Sequence, residues 1–494
     1  MNSKGDKLLV AAIDFGTTYS GYAYVFKHED FSRMKINNLW NGGSLMSLKC
    51  PTCVLFDENK QFHSFGYEAE DKYSELANDD KHEKWYYFRR FKMLLHKKGA
   101  DIDSGSLTIA LEPEAASLIC QLLPSDIMFS GSGRLTANKY MILDLGGGTA
   151  DITVHEKQAD GSLRELHEPT GGAWDGTKVD EAFHQMLIKI VGAKTFKTFC
   201  DTQKFDHLDL LRELEMKKRT ITHVSDNKIV VNMPFSLTSL YQQECGETIA
   251  DAINETPFKD KIIWAAGKVR IEANVFKGLF KECTDGVTRC VRELLQEPEV
   301  KDVDTFFMVG GFSESPMMQA AIRDALPNAK IIIPADVGLV VLKGAVVFGR
   351  EPMKIASRIA KYTYGISISP PFDSTLHPQE KRVVVGGKER CKDVFKKYIQ
   401  KGESIKIGER RSGKHVSLKA DQKKMLLRIY ASAEKDPKFI TDPGCEYMGR
   451  LIVKLPEAQD IFKVKVDMMF ETEFLVDAEE ETSKQKITSY FDFL

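Results

Sequence analysis

The chain has 494 residues, with 69 Lys and Arg set against 71 Asp and Glu, for a formal net charge of −2. At roughly 150 residues per domain this is enough for about three domain-sized units, able to bury their cores without disulfides or metals. The near-neutral balance argues against a dedicated nucleic-acid binder, and 43% hydrophobic with 28% charged residues argues against a disordered chain. Nine cysteines (Cys50, Cys53, Cys120, Cys200, Cys245, Cys283, Cys290, Cys391 and Cys445) form no regular framework and read as reduced intracellular thiols. The start, Met1 to Lys7, is polar, and the apolar run Leu8 to Ile13 is too short for a secretory signal. No stretch approaches the roughly 20 apolar residues of a membrane span, and the final Phe491 to Leu494 is no retention or lipidation signal. The expectation is a soluble protein of the cytoplasm, with the nucleus as a second compartment.

The first elements are an apolar strand, Leu8 to Ile13, ending in Asp14, Gly16, Thr17, Thr18 and Tyr19, and a second strand from Gly21 to Phe26. Together they predict a hairpin with a polar tip. The plan recurs where Lys139 to Leu143 runs into Asp144, Gly146, Gly147, Gly148, Thr149 and Asp151, followed by a strand from Ile152 to His155. Two hairpins of one design form an internal repeat. Each half also ends in a Pro-marked helix rich in small residues, around Glu112-Pro113-Glu114-Ala115-Ala116-Ser117 and from Pro334 through Gly344-Ala345. Such helices are expected to cross closely. After about Arg350 the pattern turns to β, with strict alternation from Phe462 to Met468 and short strands at 414–419, 425–430, 450–455 and 474–478. Turn signals at Gly386-Gly387 and Asp442-Pro443-Gly444 separate them and predict a β-sandwich. The expected divisions are 1–138, 139–352 and 353–494.

A tight Gly-rich turn aims several backbone N–H groups one way, which suits phosphate oxygens. Threonine hydroxyls add donors, and an Asp at the strand end can hold Mg2+ through its waters. One such tip is an ordinary hairpin turn as readily as a phosphate site. Two tips, each with its Asp, predict a phosphate chain and its metal bracketed across a cleft, as in phosphoryl transfer or hydrolysis. Asp14-Phe15-Gly16 spells a kinase metal motif without the lobe that precedes it in kinases, and no P-loop sequence is present. Cys50-Pro51-Thr52-Cys53 lacks a second pair for zinc and reads as thiols of a strand, Thr52 to Phe56.

At these motifs, and at Phe62-His-Ser-Phe-Gly-Tyr67 and Gly310-Gly-Phe-Ser-Glu-Ser-Pro316, the sequence resembles the 70-kDa heat-shock protein family in its divergent 12A/12B-like branch. The resemblance runs over nearly the whole chain. It implies an α/β, actin-like two-lobed ATPase fold, with a duplicated five-stranded mixed sheet and helices, followed by a β-sandwich of the substrate-binding kind. The implied cofactors are ATP or ADP and Mg2+, with Asp14 and Asp144 holding the hydrated ion. Gly16, Thr17, Thr18 and Tyr19 match the first phosphate motif; Gly146, Gly147, Gly148, Thr149 and Asp151 match the second, with Thr149 beside the γ-phosphate. Glu112 matches the glutamate at the lobe crossing that helps position the attacking water, and Lys92 matches the phosphate-proximal lysine. The implied catalytic set is thus Glu112, Thr149, Asp144 and Lys92. Gly171 and Gly172 match a further phosphate-side pair, and Asp336 the acid of the second connecting motif. Glu215, Lys218, Arg219 and Thr222 match the family's E-x-x-K-R-x-x-S helix, whose spacing puts all four on one face toward ribose and adenine. On spacing alone the same residues also fit a solvated charged face. Gly310 and Gly311 match the glycines over which the nucleoside lies.

The sequence departs from the family in three places. Glu314 stands where the family commonly has an adenine-stacking arginine, which weighs on ATP affinity or base preference. Glu112 follows Lys92 by only 20 positions, where the family needs more of a peripheral subdomain and then a strand–helix–strand unit of about 30 residues or more. His96 to Ser106 contains no apolar strand, so an internal deletion near 97–107 is expected, with a strand beside Val10 to Ile13 missing. The tail also lacks the family's helical lid and acidic end. The leading expectation is an ATP-binding, chaperone-related stress-response protein with weak or absent hydrolysis, coupled to a β-sandwich that takes protein or peptide partners. An adaptor that binds ATP without turnover is the alternative, followed by a small-molecule kinase of the same superfold. The Glu215 helix and the β-rich tail favour the heat-shock relatives.

Overall fold

The computed structural model describes residues 8–37, 39–42, 45–92, 108–122, 138–351, 354–457, 461–470 and 474–491. The segment 97–107, where the deletion is expected, lies outside the described residues. Two compact units divide the chain. One holds the described residues of 1–106, 110–152 and 170–351; the other holds those of 107–109, 153–169 and 352–494.

In the first unit, Leu9–Phe15 and Tyr19–Phe26 form the first hairpin, with Asp14 opposite Gly21 and Phe15 opposite Ser20. Lys35–Ile36 and Cys50–Pro51 pair with its second strand. Side chains alternate between the two faces of a strand, so Ala12, Ala23 and Val25 share one face and pack against Leu339, Leu342 and Val346. The other face of the first strand carries Leu9, Ala11 and Ile13, and Ile13 is 78% exposed. Where a five-stranded mixed sheet is expected, the described residues form a four-stranded antiparallel one with Leu9–Phe15 at its edge. The reason is length: a parallel neighbour arrives through a crossover unit of about 30 residues, and the passage from Lys92 to Glu112 has no room for it.

The second half of this unit does contain parallel strand pairs. Lys139–Leu145 lies beside Thr305–Val309, which lies beside Lys330–Ile332. Tyr140 through Leu145 are all buried, in keeping with the continuous apolar run of a strand covered on both faces. The helices Glu112–Leu122 and Val340–Arg350 cross at their small residues, as expected. A Cβ on Gly344 would lie 1.7 Å from the Ala115 carbonyl oxygen. Pro113 sits in the first turn of its helix, where a missing N–H breaks no helical bond.

The second unit contains two four-stranded antiparallel sheets. One has the order Val394–Ile399, Thr363–Ile368, Lys424–Ser432, Cys445–Lys454; the other has Arg411–Val416, Lys463–Phe470, Phe474–Glu480, Lys486–Phe491. Tyr364, Ile366, Ile429 and Val453 from the first share a core with Val464, Val466, Met468 and Val476 from the second. All five strands expected in the tail are present with shifted ends. Among the described residues no helix is long and apolar enough to cross a membrane.

Candidate functional site

The two hairpin tips are closed by the same bond. The Gly16 N–H donates to the Tyr19 carbonyl at 3.1 Å, and the Gly146 N–H donates to the Thr149 carbonyl at 3.0 Å. The sequence repeat is therefore a repeat of backbone geometry. A Cβ on Gly16 would fall 2.4 Å from the Tyr19 oxygen, so the turn admits only glycine there. The tips also touch: a Cβ on Gly147 would come 1.8 Å from Thr18 Oγ1, and one on Gly148 3.1 Å from Thr17 Oγ1. Both line one cavity of about 460 Å³ in the first unit, the size of a small-molecule site.

Asp144 stands at the end of its strand, opposite Val309 in the parallel pair. Gly310 covers it with a φ of 81°, and a Cβ there would meet Asp144 Oδ1 at 2.5 Å. Both conditions call for glycine. Burial, and after it Glu112 and Asp151, raises Asp144 well above the usual carboxylate range. Its Oδ2 is buried with no hydrogen-bond partner. Glu112 is also raised, by burial and then by Asp14, with Lys92 and Lys49 opposing. Asp14 Oδ2 accepts a bond from Lys49 Nζ at 2.5 Å. Burial works against the charge on Lys49, but Asp14, Glu112 and Asp144 outweigh it and hold the ammonium above the ordinary lysine value.

This donor set fits a hydrated divalent ion. The orphaned Asp144 Oδ2 is an acceptor that a metal-bound water would satisfy. Among the described residues no group of three or more His, Cys, Asp or Glu makes a direct cage, so the contacts would run through water.

The same cavity is lined by the helix Lys204–Thr220. There Glu215 pairs with Lys218 at 3.0 Å and with Arg219 at 2.8 Å, and Lys218 reaches Asp180 at 2.6 Å and the Gly176 carbonyl at 2.9 Å. Burial works against the charge on Glu215, yet Lys218 and Arg219 hold its carboxyl down at about 2. Glu314 lines the cavity as well, its carboxyl raised by burial with Arg219 opposing.

Of the residues expected from the sequence, all line this cavity except Asp151, Gly171, Gly172, Thr222 and Asp336. A Cβ on Gly171 would lie 1.9 Å from the Ala150 carbonyl oxygen, and Gly172 faces the Trp174 ring. Asp336, with a φ of 52°, pairs with Lys343 at 3.3 Å. Thr222 is a correction to the helical spacing. The helix stops at Thr220 and Ile221 is extended, so Thr222 is off the face and shares a hydrogen bond with Ser225 Oγ at 2.9 Å. Three β-branched residues in a row, Thr220 to Thr222, lower the preference for helix there. The Thr149 hydroxyl donates to Asp151 at 2.7 Å.

Lys49, Arg89, Arg90, Glu70 and Asp180 also line the cavity, although no sequence motif marks them. Arg89 pairs with Glu70 at 3.4 Å and Arg90 with Asp180 at 3.0 Å. Lys49 stands in no motif. It reaches the site because Cys50 and Pro51 pair with Ser20 and Tyr19 at the first tip.

No family model matches the chain. Heat shock 70 kDa protein 12A of Mus musculus is 29% identical over 624 residues, spanning 99% of this chain and 92% of that protein. Heat shock 70 kDa protein 12A of Homo sapiens is 30% identical over 576 residues, spanning 91% and 85%. Heat shock 70 kDa protein 12B of Homo sapiens is 28% identical over 627 residues, spanning 98% and 91%. The alignment with the mouse protein covers 624 positions against 494 residues here, so that relative carries internal sequence with no counterpart in this chain. On this likeness the chain belongs to the 70-kDa heat-shock protein family, in the branch of heat shock 70 kDa proteins 12A and 12B.

Proposed function

We propose that the chain binds ATP or ADP in the cavity of its first unit, with the phosphates at the two hairpin tips, and hydrolyses ATP weakly or not at all. One observation carries this reading: two glycine turns closed by the same hydrogen bond, each beside a strand-end aspartate, abut at one cavity. Family membership supports it. In this reading the backbone N–H groups of both tips and the hydroxyls of Thr17 and Thr18 donate to phosphate oxygens, and Thr149 lies beside the terminal phosphate. Asp144 and Asp14 would hold Mg2+ through water, and the ion supplies charge neutralisation along the phosphates. Lys92 adds a cation, and Glu112 accepts from the attacking water. The nucleoside lies over Gly310 and Gly311, toward Glu215, Lys218 and Arg219. The second unit is a β-sandwich that takes protein or peptide partners and responds to the nucleotide. We place the protein in the cytoplasm on cysteine usage alone.

A turnover-free adaptor draws support from a specific contact, the ion pair between Lys49 and Asp14, which engages one of the two metal-side acids. Titration calorimetry of the full chain with Mg-ATP and Mg-ADP tests binding, and its absence in folded protein would refute the reading. Single-turnover hydrolysis, compared with Thr149→Ala, then separates an ATPase from an adaptor. Phosphate appearing on an added sugar or other metabolite would favour the kinase instead.

A further inference from the structure

Lys49 is fixed along its whole length. Its segment is pinned to the first tip by the Thr52 N–H bond to the Thr18 carbonyl at 2.8 Å and by Thr52 Oγ1 donating to the Gly16 carbonyl at 2.7 Å. Its stem lies over Gly21, where a Cβ would come 3.3 Å from Lys49 Cγ. Its ammonium ends on Asp14, in the lining shared by Thr17, Gly147, Glu112 and Asp144. Five further cations of the cavity, besides Lys92, are committed elsewhere: Arg89 to Glu70, Arg90 to Asp180, Arg212 to Asp71, Lys218 to Asp180 and Arg219 to Glu215. Lys49 is instead paired with one of the two acids assigned to the metal.

Resting on the nucleotide reading above, we propose that Lys49 is a phosphate-binding residue that gives the first tip a resident positive charge, so that nucleotide binding here has a metal-independent part. An ammonium is a compact charge with three donors. One is held by Asp14, and the others are available to the polyphosphate oxygens of a nucleoside di- or triphosphate as charge-assisted bonds. With Asp14 already neutralised by Lys49, Mg2+ adds less to affinity than two unpaired acids would require.

The test is titration calorimetry of the full chain with ATP, once in Mg2+ and once in EDTA. It is repeated on Lys49→Gln, Lys49→Arg and Asp14→Asn, each checked for folding by a melt without nucleotide. The wild-type chain is expected to bind ATP in EDTA within about tenfold of its affinity in Mg2+, and Lys49→Gln to lose about 10- to 100-fold in EDTA. Lys49→Arg is expected to restore most of that loss. Asp14→Asn frees the ammonium and should tighten metal-free binding several-fold while losing the Mg2+ increment, which keeps the proposal testable if Lys49→Gln does not fold. Binding in Mg2+ with none in EDTA, wild-type behaviour of Lys49→Gln in EDTA, or weaker metal-free binding by Asp14→Asn would each overturn the proposal and leave the nucleotide reading intact. No binding under either condition would overturn both.

Discussion

Gly344 rests directly on the backbone of Ala115: a Cβ at 344 would stand 1.7 Å from the Ala115 carbonyl oxygen and 3.0 Å from its Cα. The contact sets the distance between the helices Val340–Arg350 and Glu112–Leu122, and Glu112 begins the second of them. Gly344→Ala therefore forces the helices apart, because backbone cannot swing away as a side-chain end can. Alanine's better helix propensity, up to about 1 kcal/mol, does not offset a backbone clash at the upper end of the about 1–3 kcal/mol typical of overpacking. Urea denaturation should show a net loss of stability, and an unchanged midpoint would mean that the crossing has slack.

Glu215 gives the site an acid-side signature. Its folded carboxyl, held at about 2 by Lys218 and Arg219 against burial, lies below the ordinary value of about 4.3. It therefore contributes stability that is complete above the ordinary value and is lost as pH falls through about 2. Glu215→Gln removes that contribution, on the order of 3 kcal/mol at neutral pH, and should flatten this part of the acid-unfolding curve. Melting curves of the two proteins from pH 7 to pH 2 check it; parallel pH dependence would contradict the assignment.

Asp144 acts with the opposite sign. Burial, Glu112 and Asp151 raise its folded pKa, so the folded state keeps the proton longer than the unfolded chain does. Stability falls as pH rises from the ordinary carboxylate value toward the raised one, and stays reduced above it. Asparagine is neutral throughout. Asp144→Asn should melt at a higher temperature than wild type at pH 7.5 without nucleotide, and should lose the Mg2+ increment in ATP affinity. A lower melting temperature would show that the buried carboxylate is satisfied in a way the structure does not contain.

What could be read from the sequence follows from where each signal resides. Both tips are legible because Gly16 and Gly146 encode their own turns, and the bonds that close them span only three residues. The crossing of the small-residue helices is legible for the same reason, since the glycine and alanines that allow it are contiguous runs. Lys49, Glu70 and Asp180 are not legible: each enters the cavity through packing between segments far apart in the chain, such as the Asp180–Lys218 bond. Thr222 misleads because the helical spacing continues in the sequence past the point where Ile221 turns extended. In the tail, Lys463–Phe470 announces itself by alternation, with Val464, Val466 and Met468 facing the core. Thr363–Ile368 is interrupted by Gly365, which packs under the Lys396 carbonyl, and it carries no such pattern.

Glu314 tests the nucleoside side. It places a carboxyl in a cavity assigned to a polyanion, with Arg219 as an opposing charge. Glu314→Ala should tighten ATP by about two- to fivefold, the range of a partly screened charge interaction. Competition between ATP and GTP on both proteins reads any change in base preference. Weaker binding by the variant would mean that Glu314 contacts the nucleotide rather than opposing it.

The most direct measurement is an experimental structure of the full chain with a non-hydrolysable ATP analogue and Mg2+ at saturating concentration. Phosphates are expected between Thr17–Thr18 and Gly147–Thr149, with the nucleoside over Gly310 and Gly311. A well-ordered first unit with this cavity empty, or the nucleotide bound elsewhere, would contradict it.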